Sequence, residues 1–252
     1  AGLAERQPEG AIAALVAALS DETSRVRDGA LDALGGMGWT PDGPELSAAL
    51  LIAREDWRGV ARIGESAVPL LARVVAEVGL EKDSVIRRGG AHFALGAIGG
   101  EAAAAAVRSG LADAGAAARA EAARACGVLA LTDAGTTLEA LLDDPITLVR
   151  RCAASGLGLC GYKKATPRLE EVAETDDDPG VRQAAAEALA ALGVTTILIK
   201  RLVDSDAVTR TSAAEALGGT DDVAAIDPLI GALGDSVSTV RAAAFASLEK
   251  LG

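Results

Sequence analysis

The sequence predicts an all-α protein made of stacked helical hairpins. Three observations carry that expectation. One phrase of linked residues returns along the chain about every 31 residues. Half of the residues are hydrophobic but only 2% are aromatic, so the apolar content is mostly Ala, Leu and Val. Ala and Leu are strong helix formers, and small side chains let helices approach closely. The 29 glycines fall at recurring places, as helix punctuation does, rather than in a linker.

The phrase is clearest from Asp144 to Gly158. Aligned on its arginine, it returns at Arg27, Arg88, Arg119, Arg150, Arg182, Arg210 and Arg241, with gaps of 61, 31, 31, 32, 28 and 31 residues. The first gap is close to two periods, so a degenerate unit lies inside it. Asp21, Asp113, Asp144, Asp176, Asp204 and Asp235 each stand six residues before their arginine, and Asp83 stands five before Arg88. Seven residues after each arginine comes Leu34, Leu95, Cys126, Leu157, Leu189, Leu217 or Leu248, followed by Gly or Ala except at Glu249.

Each copy reads as two helices. The first is short and apolar: Ala11 to Leu19, Glu101 to Leu111, Thr136 to Leu142, Thr166 to Val172, Thr195 to Val203 and Val223 to Leu233. Pro167 and Pro228 start or kink theirs. The second begins near the Asp, and its apolar positions keep helical spacing down to the Leu-Gly end. Asp144-Pro145 and Asp178-Pro179 read as N-cap followed by N1, where a missing N–H costs nothing. Residues 38–82 depart from the pattern, with the atypical second repeat at about 38–64. After the turn-rich Gly38 to Pro44 the spacing predicts helices over Glu45–Arg54 and Asp56–Ile63, and then a first helix running to Val78. The count is about eight hairpins, the second atypical. No composition shift marks a boundary, so residues 1–252 read as a single domain.

The phrase Asp-x5-Arg-x6-Leu-Gly and the run Ile63-Gly64-Glu65-Ser66-Ala67-Val68-Pro69-Leu70-Leu71 resemble HEAT repeats, above all the short phycobilisome-lyase HEAT-like variety. The segment from Gly38 through Trp57 resembles a variant unit of prokaryotic members. The resemblance covers nearly the whole chain. It implies a right-handed α-α superhelix whose second helices line the concave face. It leaves function open, since the family holds scaffolds, adaptors, chromophore-lyase subunits and a few enzymes.

Charge and residue chemistry narrow the function. A net charge of −12 disfavours a nucleic acid or an anionic membrane surface, both of which need clustered Lys and Arg. No stretch has the length and apolarity of a membrane span. Three cysteines, Cys126, Cys152 and Cys160, make no disulfide framework, and a cytoplasmic location is the default. By register all three are small core residues, and no metal or redox centre is expected. His92 is the only histidine. Its register matches Leu31, Ala123, Ala154 and Phe245, which reads as inward-facing, so a packed, hydrogen-bonded histidine is expected. One histidine cannot supply the His/Glu-rich iron site of the HEAT-repeat hydroxylases, and no Ser/His/Asp set can be assembled. Gly89-Gly90 and Gly96 to Gly100 lack the strand context and the lysine of a phosphate loop, so close helix packing and helix ends are expected there.

The Asp/Arg pairs could form a charged binding stripe. The alternative is a structural ladder, in which each planar guanidinium satisfies the turn of its own or the next repeat. The ladder is the expected role for Asp21, Arg27, Asp144, Arg150, Asp176, Arg182, Asp204, Arg210, Asp235 and Arg241. What varies between copies is the pair of positions one and five residues after the arginine, a helical turn apart on one face. There the chain carries Asp28 and Asp32, Phe93, Arg124, Arg151 and Ser155, Gln183 and Glu187, and Thr211 and Glu215. A variable stripe on a constant frame fits a partner groove, with Phe93, Arg124 and Arg151 as anchors. Trp39 and Trp57 are local core of the atypical unit or a second contact site.

The expectation is a non-catalytic scaffold that binds a protein partner on the concave face, without a cofactor. The alternative implied by the resemblance is an enzyme-associated subunit handling a tetrapyrrole or other small molecule. A cleft holding His92 and a cysteine together would favour that alternative.

Overall fold

The computed structural model describes residues 8–193, 195–220 and 222–251. Its contacts gather into two compact units, Ala1–Ala125 and Cys126–Gly252. Among the described residues the regular structure is entirely helical.

The first unit starts with the hairpin α1 (Pro8–Ala18) and α2 (Ser24–Gly36). The atypical pair follows as α3 (Pro44–Ala53) and α4 (Trp57–Ile63), close to the sequence expectation. Asp56 caps α4 by accepting from the Gly59 N–H. The next first helix, α5 (Val68–Val75), ends three residues before the expected Val78. It pairs with the long α6 (Lys82–Ile98), and α7 (Glu101–Ser109) pairs with α8 (Ala116–Val128), whose last residues begin the second unit. Trp39 packs on the Leu19, Ala30, Leu34 and Ala53 cluster, and the Trp57 ring lies against Gly90. Both tryptophans therefore serve local packing.

The second unit continues with α9 (Gly135–Ala140), α10 (Thr147–Leu159), α11 (Thr166–Thr175) and α12 (Pro179–Ala191). It ends with α13 (Thr195–Arg201), α14 (Ala207–Leu217), α15 (Ile226–Ala232) and α16 (Ser238–Leu251). Sixteen α-helices among the described residues make eight hairpins, an all-α superhelical repeat fold. Leu34, Leu95, Leu157, Leu189 and Leu217, all at the same register, are buried. Each removes apolar surface worth about 2 kcal/mol from water.

The turn before each second helix is built by its aspartate. The Asp21, Asp113, Asp144, Asp176, Asp204 and Asp235 carboxylates accept from the backbone N–H two residues on, at 2.6–2.9 Å. Asp178 is a true N-cap, accepting from the Gly180 and Val181 N–H groups ahead of Pro179. Asp144 is not: α10 starts at Thr147 with Ile146 as its N-cap, so Asp144-Pro145 forms the turn before the helix.

The arginine then closes the same turn. Arg27, Arg119, Arg150, Arg182, Arg210 and Arg241 donate Nη1 to the carbonyl of the residue six positions back, at 2.7–3.1 Å. Arg88 differs. Its Nη1 reaches the Gly79 carbonyl and Ser84 Oγ, and Asp83 stands exposed in the first turn of α6. The longer loop there moves the carbonyl upstream.

At three crossings a glycine eight residues after the arginine sets how near the next second helix comes, whereas Gly35 at the same register in α2 has nothing within 4 Å of an added Cβ. A Cβ at Gly96 would sit 2.8 Å from Ala125 Cβ, and one at Gly158 would sit 2.6 Å from Ala188 Cα. A Cβ at Gly218 would lie 2.6 Å from Ser247 Cβ, and the Ser247 hydroxyl donates to the Ala214 carbonyl. In each case only glycine permits the crossing.

Candidate functional site

The α12–α14 crossing breaks this rule. The residue eight after Arg182 is Ala190, not glycine. The repeat from Arg182 to Arg210 is also 28 residues long, against 31 or 32 for its neighbours. A three-residue 3-10 turn precedes α9 (Thr132–Ala134), α11 (Lys163–Ala165) and α15 (Val223–Ala225), whereas none is found ahead of α13 (Thr195–Arg201) among the described residues. Asp204 makes no ion pair with Arg182 among the described residues, although Arg150 reaches Asp176 and Arg210 reaches Asp235.

A groove of about 1030 Å³ opens where α12 and α14 fail to close. Its walls are the second helices α12, α14 and α16, and its deep end meets Leu198 and Arg201 of α13. The floor is small and apolar, with Ala186, Ala190, Ala216, Ala242 and Ala246. Gln183, Glu187, Thr211 and Glu215 line it as well. Within the groove Gln183 Nε2 donates to Glu187 Oε1 at 2.9 Å. Arg201 is occupied by Glu170 at 3.1 Å and Glu174 at 2.6 Å. Glu215 is exposed, and among the described residues its carboxylate has no partner.

The remaining stripe residues lie elsewhere. Phe93 and Arg124 meet in the first unit, where the guanidinium lies 5.2 Å from the ring centroid and also pairs with Glu121 at 2.8 Å. Asp28 and Asp32 stand exposed on α2. Arg151 and Ser155 lie on α10, with the Arg151 side chain running past Gly180 at the start of α12. The stripe is interrupted at Gly89 and Ala120, which occupy the same register and are buried.

His92 corrects one expectation. It is fully buried on α6, as expected, but neither ring nitrogen has a hydrogen-bond partner. Its Nε2 edge fills the space over Gly110, where a Cβ would come within 2.1 Å. Burial lowers its pKa from 6.5 to about 4, with Asp113 opposing and Arg88 assisting, so the ring is neutral. Phe245 corrects another: it is 58% exposed, not inward-facing. Cys126 and Cys160 are buried and Cys152 is half-buried, as their register implies. Among the described residues no group of His, Cys, Asp or Glu is placed to hold a metal ion, and no helix is long and apolar enough to cross a membrane.

Sequence reasoning missed two features. Arg87 is fully buried and paired with Glu77 beside a cavity of about 380 Å³, which also touches Asp21 and Glu22. The groove was missed too, although the 28-residue gap and Ala190 were both visible signals for it.

The family of HEAT repeats matches residues 105–190 and 194–252. The chain belongs to the HEAT repeat family. No curated protein matches it. Among solved structures, it resembles the complex of CpcE and CpcF of phycocyanin lyase from Nostoc sp. PCC7120, at 23% identity and a TM-score of 0.54. That match covers 84% of this chain and 96% of the other. An engineered protein is similar at 19% identity over 95% of this chain and 78% of its own, with a TM-score of 0.49. Human deoxyhypusine hydroxylase in complex with glycerol is similar at 16% identity over 96% of each chain, with a TM-score of 0.38. At these identities the first likeness concerns the fold, and the other two overlay too loosely to bear on this chain.

Proposed function

We propose that the protein is a non-catalytic HEAT-repeat scaffold that binds a segment of a partner protein along its second helices, and that the groove between α12 and α14 is the main seat. The observation that carries this reading is the groove itself. It gathers Gln183, Glu187, Thr211 and Glu215, which vary between copies, around a floor of alanines. Such a floor accepts large apolar side chains, and rim carboxylates and amides orient them. Within the second unit Arg151 and Ser155 extend the contact stripe in this proposal; in the first unit Phe93 with Arg124 and Asp28 with Asp32 are candidate contacts by themselves. The similar phycocyanin lyase chains are themselves found in a complex of two proteins.

The tetrapyrrole alternative has less support. His92 is buried in the first unit, and among the described residues no cysteine or histidine lines the groove.

The experiment compares recovery of a partner from source-cell lysate with three baits: the wild-type chain, Ala246→Trp and Ala140→Trp. Ala246 lies exposed on the groove floor, and Ala140 is exposed on the first helix α9. A partner lost with Ala246→Trp and kept with Ala140→Trp supports the groove. Equal recovery with all three baits places the contact on another face.

A further inference from the structure

One rung of the ladder is half-filled where it lines the groove. Arg88, Arg150 and Arg210 each use two edges of the guanidinium. Nη1 serves a carbonyl of the preceding turn, while Nε and Nη2 grip the next repeat's carboxylate in a fork. The fork distances are 2.7 and 2.9 Å to Asp113, 2.8 and 3.0 Å to Asp176, and 2.7 and 3.0 Å to Asp235. Arg182 keeps the first half, with Nη1 on the Asp176 carbonyl at 2.7 Å and the Asp177 carbonyl at 3.3 Å. Its Nε and Nη2 edge meets no carboxylate among the described residues, and the side chain lines the groove. Asp204, which would complete the rung, serves its own turn through Asp206 N at 2.9 Å.

We infer that the partner segment completes this rung: it is an amphipathic helix that presents an Asp or Glu carboxylate to Arg182 and sets large apolar side chains on the alanine floor. The inference rests on the reading of the groove as a protein-docking seat. Three filled rungs show what this guanidinium edge accepts at this register, a planar carboxylate taken by two parallel N–H donors. Further along α12 the rim is acidic, at Glu187 and at Glu215 of the facing α14. Arg182 and Glu187 are five residues apart on α12, about 7.5 Å along its axis. The complementary partner therefore carries a carboxylate for Arg182, and a Lys or Arg elsewhere on it would meet the acidic rim at Glu187 and Glu215. Ala190 stands where the closed crossings carry glycine, and the space between α12 and α14 is what this helix fills.

The test pans a phage-displayed library of 16-residue helix-biased peptides on the purified 252-residue chain. The enriched peptides should share an apolar stripe and an acidic residue. In a synthetic copy, changing that acid to Gln should weaken binding about tenfold, roughly one charge-assisted fork. Arg182→Gln should weaken the parent peptide by a similar factor, and combining both changes should add little more. The peptide-side change leaves the protein intact, so the result stands even if Arg182→Gln lowers stability. Enriched peptides whose binding ignores the acid, yet is lost in Ala246→Trp, overturn the carboxylate and leave the groove standing. Peptides that bind Ala246→Trp as well as wild type, or a library that yields no enrichment, overturn the groove and this inference with it.

Discussion

Arg150 and Asp176 join neighbouring hairpins through a two-bond fork, Nε to Oδ2 at 2.8 Å and Nη2 to Oδ1 at 3.0 Å, with the side chains 13% and 8% exposed. The same guanidinium also reaches the Asp144 carbonyl and Asp177. One residue thus ties a turn to itself and to the next repeat.

Replacing it should cost stability and nothing else. Arg150→Ala removes charge-assisted bonds in a partly screened setting, a loss of about 2 kcal/mol. For a chain of this size that corresponds to a melting temperature lower by ~4–8 °C. Thermal unfolding followed by circular dichroism reads it, and an unchanged midpoint would refute the ladder as a structural device. Acid should act in the same direction. The hydrogen bond from Arg150 holds Asp176 below its ordinary pKa of 3.8. The pair therefore stabilises the fold above that value and loses its contribution as pH falls through the folded-state pKa.

His92 gives an earlier acid response. Its folded-state pKa of about 4 lies below the unfolded 6.5, so the unfolded chain takes up the proton first. Its neutral form is fully tolerated above pH 6.5. Between pH 6.5 and 4 the fold loses up to about 3 kcal/mol. His92→Leu, which removes a charge-capable ring and two unsatisfied nitrogens, should flatten the denaturation midpoint over that range. A wild-type midpoint in urea that does not move between pH 7 and pH 4.5 would contradict the burial argument.

Two glycines should respond in opposite directions. Gly158→Ala drives a Cβ to 2.6 Å from the Ala188 backbone and should destabilise by roughly 2 kcal/mol through overpacking at the α10–α12 crossing. Gly29 sits inside α2 with nothing within 4 Å of an added Cβ. Gly29→Ala should stabilise by about 0.5–1 kcal/mol, because it removes backbone freedom from the unfolded chain and improves helix propensity. Paired chemical-denaturation curves would show both, and equal signs would contradict the packing described here.

Cys160 should be silent in the native state. Burial pushes its thiol pKa up, and its Sγ donates weakly to the Leu157 carbonyl at 3.6 Å. With little thiolate and no access, it should react with a maleimide only after denaturant is added. Rapid native labelling at this site, located by mass spectrometry, would show that the hairpin opens.

Much of this was legible in the sequence, and it is the part governed by short spacing. The six-residue step from Asp144 to Arg150 closes a turn, and the seven-residue step to Leu157 places a buried side chain two helical turns on. Both distances are fixed by helix geometry, so they could be counted along the chain. The hairpin number and the atypical unit around Trp39 and Trp57 followed in the same way. Spacing was silent on whether groups brought together from different helices find partners. His92 was placed inside correctly, but its missing hydrogen bonds depend on Gly110 and its neighbours in space. Phe245 shares a register with buried residues, yet exposure depends on what covers a helix, and period does not report that.

The groove shows where the division falls. The sequence held two signals, a 28-residue step and an alanine at position 190, but whether α12 and α14 meet depends on how their side chains pack across space. Close packing of that kind is all or nothing. Across Gly158 the helices α10 and α12 meet, whereas between α12 and α14 a groove opens and one edge of the Arg182 guanidinium meets no carboxylate among the described residues.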